Sequence, residues 1–187
     1  MTNETRRWIE GSVFFVLFCL TIPVANWMIT NVGTVCTRDG PCLIPVAPGL
    51  MAPSGVLMVG IALVLRDLVQ RRLGLGAAVA AILIGAGISG LVAPLALVTA
   101  SAAAYLISEF ADLAVYTPLQ ERRFVAAVVA SSVVGLVVDS IVFLWLAFGS
   151  LEFLTGQVVG KAWMVLLALP FILYLRRRDE QINLGPA

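Results

Sequence analysis

The stretch FVAAVVASSVVGLVVDSIVFLWLAF, residues 124–148, decides the fold class, because Asp139 is its single ionisable residue. A helix needs about 20 consecutive, predominantly apolar residues to cross the hydrocarbon core of a bilayer. The stretch is long enough, so it predicts a transmembrane helix. Composition agrees: of 187 residues, 60% are hydrophobic and 12% are charged, and the mean hydropathy is +1.01. We therefore expect an integral membrane protein whose solvent is lipid.

Five further apolar runs have similar lengths. The sequence therefore predicts an all-α integral membrane protein, a bundle of six transmembrane helices forming one domain over residues 1–187. The expected spans are 8–31, 49–70, 75–92, 95–116, 124–148 and 156–175. Pro94 is expected to make a tight break between the third and fourth spans.

Arginines mark one side of the predicted bundle. They occur at the N-terminus, in alternate loops and at the C-terminus: Arg6, Arg7, Arg71, Arg72, Arg122, Arg123 and Arg176 to Arg178. The opposite loops hold only Arg38. Because basic loop residues are retained on the cytoplasmic side, both termini are predicted to be cytoplasmic.

The loop after the first span contains two cysteines. Cys36 and Cys42 flank a polar turn that the arginine pattern places outside, where a disulfide can persist. We predict a disulfide across this loop, and two free thiols at the membrane rim are the alternative. Cys19, within the first run, is expected to be a small buried apolar residue.

Charge and residue content also restrict the function. The net charge is +1 and the chain has no histidine. It therefore lacks both the basic field that attracts a phosphate backbone and the commonest metal ligand. A Gly-x-Ser-x-Gly motif and paired-cysteine metal motifs are also missing. We expect no nucleic acid partner, no metal, no cofactor and no catalytic residues, and an intramembrane enzyme is the weakest interpretation.

Ionisable side chains within the predicted spans are the candidates for function. Such groups are costly in lipid, so they normally face a bundle interior or a watery cavity and often mark a solute or proton path. They are Arg66, Asp67, Glu109, Asp112, Asp139 and Lys161. The four carboxylates outnumber the two cations, which leaves acidic groups to bind a donor-rich or cationic solute or to carry protons.

Helical spacing groups some of these residues on two faces. One face of the fourth predicted helix carries Ser101, Tyr105, Glu109, Asp112 and Tyr116. One face of the fifth carries Ser132, Gly135 and Asp139. We expect these faces to line one cavity.

Purely structural roles compete with this interpretation. Glu109 and Asp112 would then form interhelical hydrogen bonds and ion pairs, and Asp139 and Lys161 would form a mutual salt bridge. For Arg66 an ion pair is the favoured expectation. Asn26, one turn after Pro23, either satisfies the backbone that the proline frees or points into the cavity.

Four motifs resemble the vitamin-uptake-like (VUT) family, the queuosine precursor transporters. They are RDLVQRRLG at 66–74, SEFADLAVYTPL at 108–119, SSVVGLVVDS at 131–140 and Lys161. The likeness covers the second to sixth predicted helices. It implies a carrier in a bacterial cytoplasmic (inner) membrane that imports a deazaguanine base such as 7-cyano-7-deazaguanine (preQ0). From the carboxylates themselves we expect that protonation of one of them couples to transport. The family's recurring polar positions match Asp67, Glu109 with Asp112, Ser132 with Asp139, and Lys161.

Such a solute suits the chemistry of the candidate residues. A guanine-like edge offers neighbouring N–H donors that one carboxylate accepts together, and its carbonyl needs a donor such as Lys161 or Asn26. Its flat face can stack on Tyr105 or Trp145. The expected substrate-binding residues are Asn26, Asp67, Tyr105, Glu109, Asp112, Ser132, Asp139 and Lys161.

The expected partners are a deazaguanine or purine-like solute and membrane lipid, and a homodimer is left open. The rival interpretation is the substrate-binding subunit of an energy-coupling, ATP-driven vitamin transporter, an architecture that this predicted fold also resembles. Another purine-like or vitamin-like solute is a further alternative. Energy-coupling subunits usually dock to their ATPase module through Ala-x-x-x-Ala on the first helix, where this chain has only Ala25.

Overall fold

The computed structural model describes residues 2–36, 40–93 and 97–187 and is mostly helical. The helices are α1 (Asn3–Asn31), α2 (Val56–Leu73), α3 (Leu75–Val92), α4 (Val98–Leu119), α5 (Phe124–Phe148) and α6 (Leu154–Gln181). Three short strands lie between α1 and α2: β1 (Val35–Cys36), β2 (Cys42–Ala47) and β3 (Leu50–Pro53). Predictions that fall on Arg38, Pro94 and Leu95 lie outside the described residues.

The strands form an antiparallel sheet of order β1-β2-β3, which the all-α prediction did not include. Gly49 makes the turn between β2 and β3 with a φ of +73°, a value that favours glycine. The predicted disulfide between Cys36 and Cys42 is confirmed, and it joins β1 to β2.

The sheet also shifts the start of the second helix. The apolar run was expected to begin a span at residue 49, but α2 begins only at Val56. Pro53 explains the difference, because a proline holds the residue before it in an extended conformation and excludes it from a helix. Residues 50–53 are apolar because they pack beside the bundle in β3, which contacts α6.

Five helices of the described chain, α1, α3, α4, α5 and α6, are long and apolar enough to cross a membrane. The remaining helix, α2, carries four charged residues within its 18: Arg66, Asp67, Arg71 and Arg72. All four are buried. The second predicted span is therefore a helix of a different kind.

Burial explains how α2 tolerates its charges. It contacts each of the other five helices, and all of its large hydrophobic residues are at least partly buried. The other helices all expose large apolar side chains, for example Leu83 of α3 and Leu167 of α6. Five helices thus present apolar surface outward, as lipid requires, and surround a central helix that carries polar groups.

The arginine-bearing segments meet at the end of the bundle opposite the sheet. Arg72 of α2 pairs with Glu10 of α1 at 2.8 Å and with Asp179 of α6 at 2.9 Å. Arg178 of α6 pairs with the same Glu10 at 2.7 Å. Arg71 lies 3.9 Å above the ring of Phe124, at the start of α5. An ion-pair network therefore joins α1, α2 and α6 at this end, and the sheet lies at the other.

Candidate functional site

A cavity lies in the half of the bundle nearest the sheet. It contains about 760 Å³ of atom-free space including its mouth, and the centre of a water molecule fits in about 100 Å³ of it. One water needs roughly 10–15 Å³ of the space that is open to water centres, so the cavity holds several waters or one small solute. Its polar lining consists of Thr21, Asn26, Ser89, Ser101, Tyr105, Ser108, Glu109, Asp139, Gln157 and Lys161. The largest part of the apolar wall comes from the first half of α2, and α1 adds Ile22, Ala25 and Ile29.

Lys161 and Asp139 form a buried ion pair at the cavity wall. The Lys161 ammonium donates to Asp139 Oδ2 at 2.6 Å, to Ser140 Oγ at 2.7 Å and to Gln157 Oε1 at 2.8 Å. The other Asp139 oxygen accepts a hydrogen bond of 3.4 Å from Ser108. The mutual salt bridge considered for this pair is present, and both side chains also line the cavity.

A close contact between helices holds Lys161 in this position. A Cβ atom at Gly60 of α2 would lie 2.7 Å from the backbone oxygen of Lys161 and 3.0 Å from its Cα. Because Gly60 has no side chain, the α6 backbone approaches α2 at this level. The glycine therefore sets the depth at which the Lys161 side chain enters the bundle.

Glu109 connects the cavity to a second, deeper charged cluster. Its Oε2 accepts a hydrogen bond of 3.2 Å from Arg66 Nε, whereas Oε1 accepts none from the described residues. Arg66 is fully buried and also pairs with Asp112 and, at 2.9 Å, with Asp67. One guanidinium thus faces three carboxyl groups, and the ion pair expected for Arg66 is present.

Tyr105 and Asn26 supply neutral groups to the cavity. The Tyr105 hydroxyl is buried and has no hydrogen-bond partner among the described residues. Gly85 of α3 leaves space for its ring, because a Cβ there would lie 2.7 Å from Tyr105 Cζ. The Asn26 amide donates to the Ile22 carbonyl at 2.9 Å while the residue lines the cavity. Its carbonyl oxygen remains as an acceptor.

The structure brings five of the eight predicted site residues together around the cavity: Asn26, Tyr105, Glu109, Asp139 and Lys161. The other three lie away from it. Asp67 and Asp112 belong to the Arg66 cluster, and Ser132 is fully buried without a hydrogen-bond partner in the described chain. The two helix faces therefore line one cavity only in part. The α4 face passes from the cavity at Glu109 into the deeper cluster at Asp112.

Several polar residues at the site were not among the predicted ones. Gln157 and Ser140 complete the environment of Lys161, and Ser108 donates to Asp139. Gln157 precedes Lys161 by four residues on one helix face, so helical spacing was a usable signal for it. Ser140 directly follows Asp139, and its role depends on packing between α5 and α6.

The described residues contain no group of three or more Cys, Asp or Glu side chains arranged to hold a metal ion. The densest set of carboxyl groups surrounds Arg66, and the guanidinium occupies its centre. The site as described is built to present hydrogen-bond donors and acceptors.

Part of the chain matches a known protein family. Residues 91–175 match the family described as "Putative vitamin uptake transporter". Over these residues the chain is similar to that family. No curated protein and no solved structure matches the chain significantly.

The vitamin uptake match covers α4, α5 and most of α6, so it includes four of the five cavity residues: Tyr105, Glu109, Asp139 and Lys161. The resemblance to vitamin uptake proteins is therefore confirmed for residues 91–175. A transporter family implies a small-molecule solute and suggests a role other than catalysis. Together with five apolar helices, it supports a multi-pass membrane protein.

Proposed function

We propose that this protein is a carrier that imports a deazaguanine base such as 7-cyano-7-deazaguanine, a precursor for tRNA modification, through a bacterial cytoplasmic membrane. The observation that carries the proposal is the cavity, in which Glu109, Asp139 and Lys161 meet beside Tyr105. The family match to vitamin uptake transporters supports the class of function, and the motif resemblance supports the solute.

The cavity has the complementary groups for a planar base with adjacent donors. Glu109 Oε1 is free to accept from the neighbouring N–H groups of a guanine-like edge, because only Oε2 is engaged, by Arg66. The solute carbonyl would accept from Lys161, which then exchanges one of its three present acceptors for the solute. Tyr105 offers an aromatic ring for stacking and a hydroxyl that none of the described residues engages.

Our proposed contact set is Asn26, Tyr105, Glu109, Asp139 and Lys161. We do not carry Asp67, Asp112 and Ser132 into it, because they do not line the cavity. In the contact set the Glu109 carboxylate supplies most of the selectivity, since a buried acceptor left unpaired penalises any solute that lacks the matching donors.

We further propose that all six helices span the membrane, with α2 as the internal span. Its neighbours α1 and α3 are apolar enough to cross, and α2 connects the sheet end of α1 to the arginine end of α3. Nine arginines belong to the end opposite the sheet, which favours cytoplasmic placement of that end and of both termini. The Cys36–Cys42 disulfide favours an oxidising exterior for the sheet.

Uptake by purified protein tests this function. The chain is reconstituted alone into liposomes, and entry of radiolabelled 7-cyano-7-deazaguanine is followed with a pH gradient that is acidic outside. We expect accumulation above that of empty liposomes, because we propose that proton entry drives import. Competition by unlabelled deazaguanine, but not by an equal concentration of riboflavin, is expected.

The same assay decides between a lone carrier and an ATP-driven subunit. Solute entry that requires a co-reconstituted ATPase module, with binding but no flux by the chain alone, would support the energy-coupling alternative. If the chain neither binds nor transports deazaguanine but binds a vitamin instead, the proposed solute is contradicted.

A further inference from the structure

The Arg66 cluster carries an imbalance of charge inside the bundle. Arg66 contacts Asp67, Glu109 and Asp112, and all four side chains are no more than 3% exposed. With every group ionised, the cluster has a net charge of −2. Carboxylates this close to one another disfavour joint ionisation, and a buried uncompensated charge is expensive. The cluster therefore has reason to bind a proton.

Two carboxyl oxygens in the cluster mark where that proton would lie. Asp112 Oδ2 is buried and has no hydrogen-bond partner among the described residues, and Asp67 Oδ1 contacts Arg66 Nη2 at 2.9 Å without an aligned hydrogen bond. The two carboxyl groups lie side by side, because both contact the same nitrogen, Arg66 Nη2. Two carboxylates offer only acceptors, so a bond between them needs one proton. A single shared proton satisfies both groups.

The surrounding side chains position the pair without neutralising it fully. Arg66 of α2 approaches both carboxyl groups, and Ser131 of α5 donates to Asp67 Oδ2 at 2.8 Å. From α4, Glu109 adds a third negative charge, and the ring of Tyr116 lies 5.6 Å from the Arg66 guanidinium. The Lys161–Asp139 pair of α6 and α5 is balanced within itself.

The cluster also lies on a polar route through the bundle. On one side Glu109 reaches the cavity. On the other side Arg66 Nη1 donates to Gln70 Oε1 at 3.2 Å, and Gln70 Nε2 donates to Thr117 Oγ1 at 3.0 Å. Gln70 is followed by Arg71 at the arginine-rich end. A group that binds a proton here is therefore placed between the solute cavity and the opposite end.

We propose that the Asp67–Asp112 carboxyl pair holds the proton that is transported together with the solute. This inference rests on the proposed carrier function. A hydronium ion in the cavity transfers its proton through Glu109 to the pair, and water remains. After the bundle rearranges, the proton leaves from the pair to water at the other end, along the side that Gln70 and Thr117 line. The shared proton lowers the net negative charge of the cluster from two to one while Glu109 remains ionised to hold the solute.

Two transport assays on the same liposomes test the proposal. Counterflow exchanges labelled external solute for unlabelled internal solute without a pH gradient, and the second assay measures accumulation driven by an acidic exterior. Asp67→Asn and Asp112→Asn each replace a carboxyl group by an amide of the same size that cannot release a proton. We expect both variants to keep counterflow and to lose accumulation, whereas the control Glu121→Gln, at an exposed position, keeps both.

Accumulation at the wild-type level in both aspartate variants would overturn the inference and leave the carrier function intact. Absence of counterflow in the wild-type protein would instead overturn the proposed function. Infrared spectroscopy of the wild-type protein covers the case in which a variant folds poorly. The carbonyl band of a protonated carboxylic acid is expected near neutral pH, and its absence in the wild-type protein would contradict a shared proton.

Discussion

Removal of the Lys161 ammonium is expected to destabilise the bundle strongly, because it leaves the buried Asp139 carboxylate without its cation. Lys161 makes three hydrogen bonds of 2.6–2.8 Å, and without it the 3.4 Å bond from Ser108 is all that the described residues would still give Asp139. Breaking a buried ion pair by removing one partner costs about 3–5 kcal/mol. Asp139 borders the cavity and its side chain is 12% exposed, so we expect the lower end, about 3 kcal/mol for Lys161→Met.

A double-mutant cycle measures this interaction. Lys161→Met, Asp139→Asn and the double variant are unfolded by increasing SDS in mixed micelles, and the free energy of unfolding is compared. The double variant removes both charges, so we expect it to be more stable than either single variant by at least ~1 kcal/mol. The control pair is Arg176 and Glu180, which are 53% and 61% exposed and should couple by only about 0.3–0.5 kcal/mol. If the losses of the two single variants simply add in the double variant, the ion pair does not stabilise the fold as described.

Two further predictions concern the packing and the topology. Gly60→Ala should destabilise the protein by about 1–3 kcal/mol in the SDS titration, because the added Cβ would meet the Lys161 backbone. The control Gly87→Ala, which has open space around its Cβ, should be neutral or slightly stabilising. Equal effects of the two substitutions would contradict the close approach of α2 and α6. In a Cys19→Ala background, a membrane-impermeant maleimide should label Cys36 and Cys42 of intact cells only after reduction, because the disulfide closes the outer sheet. Labelling without reduction would argue against the disulfide, and labelling that requires cell lysis would argue against the orientation.

The fold was predictable from sequence where a single physical requirement dominated. Helix α5 has the bounds of the apolar run at 124–148, because lipid demands uninterrupted apolar surface there. The arginine pairs also correctly indicated which helix ends lie on the same side of the bundle. The sheet was missed because residues 50–53 are apolar like the span that follows them, although Pro48-Gly49 before them and Pro53 within them are signals against a helix.

The candidate site was predictable as a set of residue types but not as a geometry. Ionisable residues within the predicted spans indicated Glu109 and Asp139, and helical spacing indicated Tyr105. Whether a predicted residue lies at the cavity or in the Arg66 cluster depends on the depth at which α2 packs in the bundle. That depth is set by contacts such as the one between Gly60 and α6. Local periodicity contains no information about that depth.

Solute binding through Glu109 is tested by the affinity of the purified protein for 7-cyano-7-deazaguanine, compared between the wild type and Glu109→Gln. Hydrogen bonds to a charged group contribute about 1.5–3 kcal/mol, so loss of the carboxylate should weaken binding about 10- to 100-fold. The same substitution at Glu152, which is exposed in the loop between α5 and α6, should leave the affinity unchanged. An equal affinity of wild type and Glu109→Gln, with both proteins folded, would contradict the claim that this cavity binds the solute through Glu109.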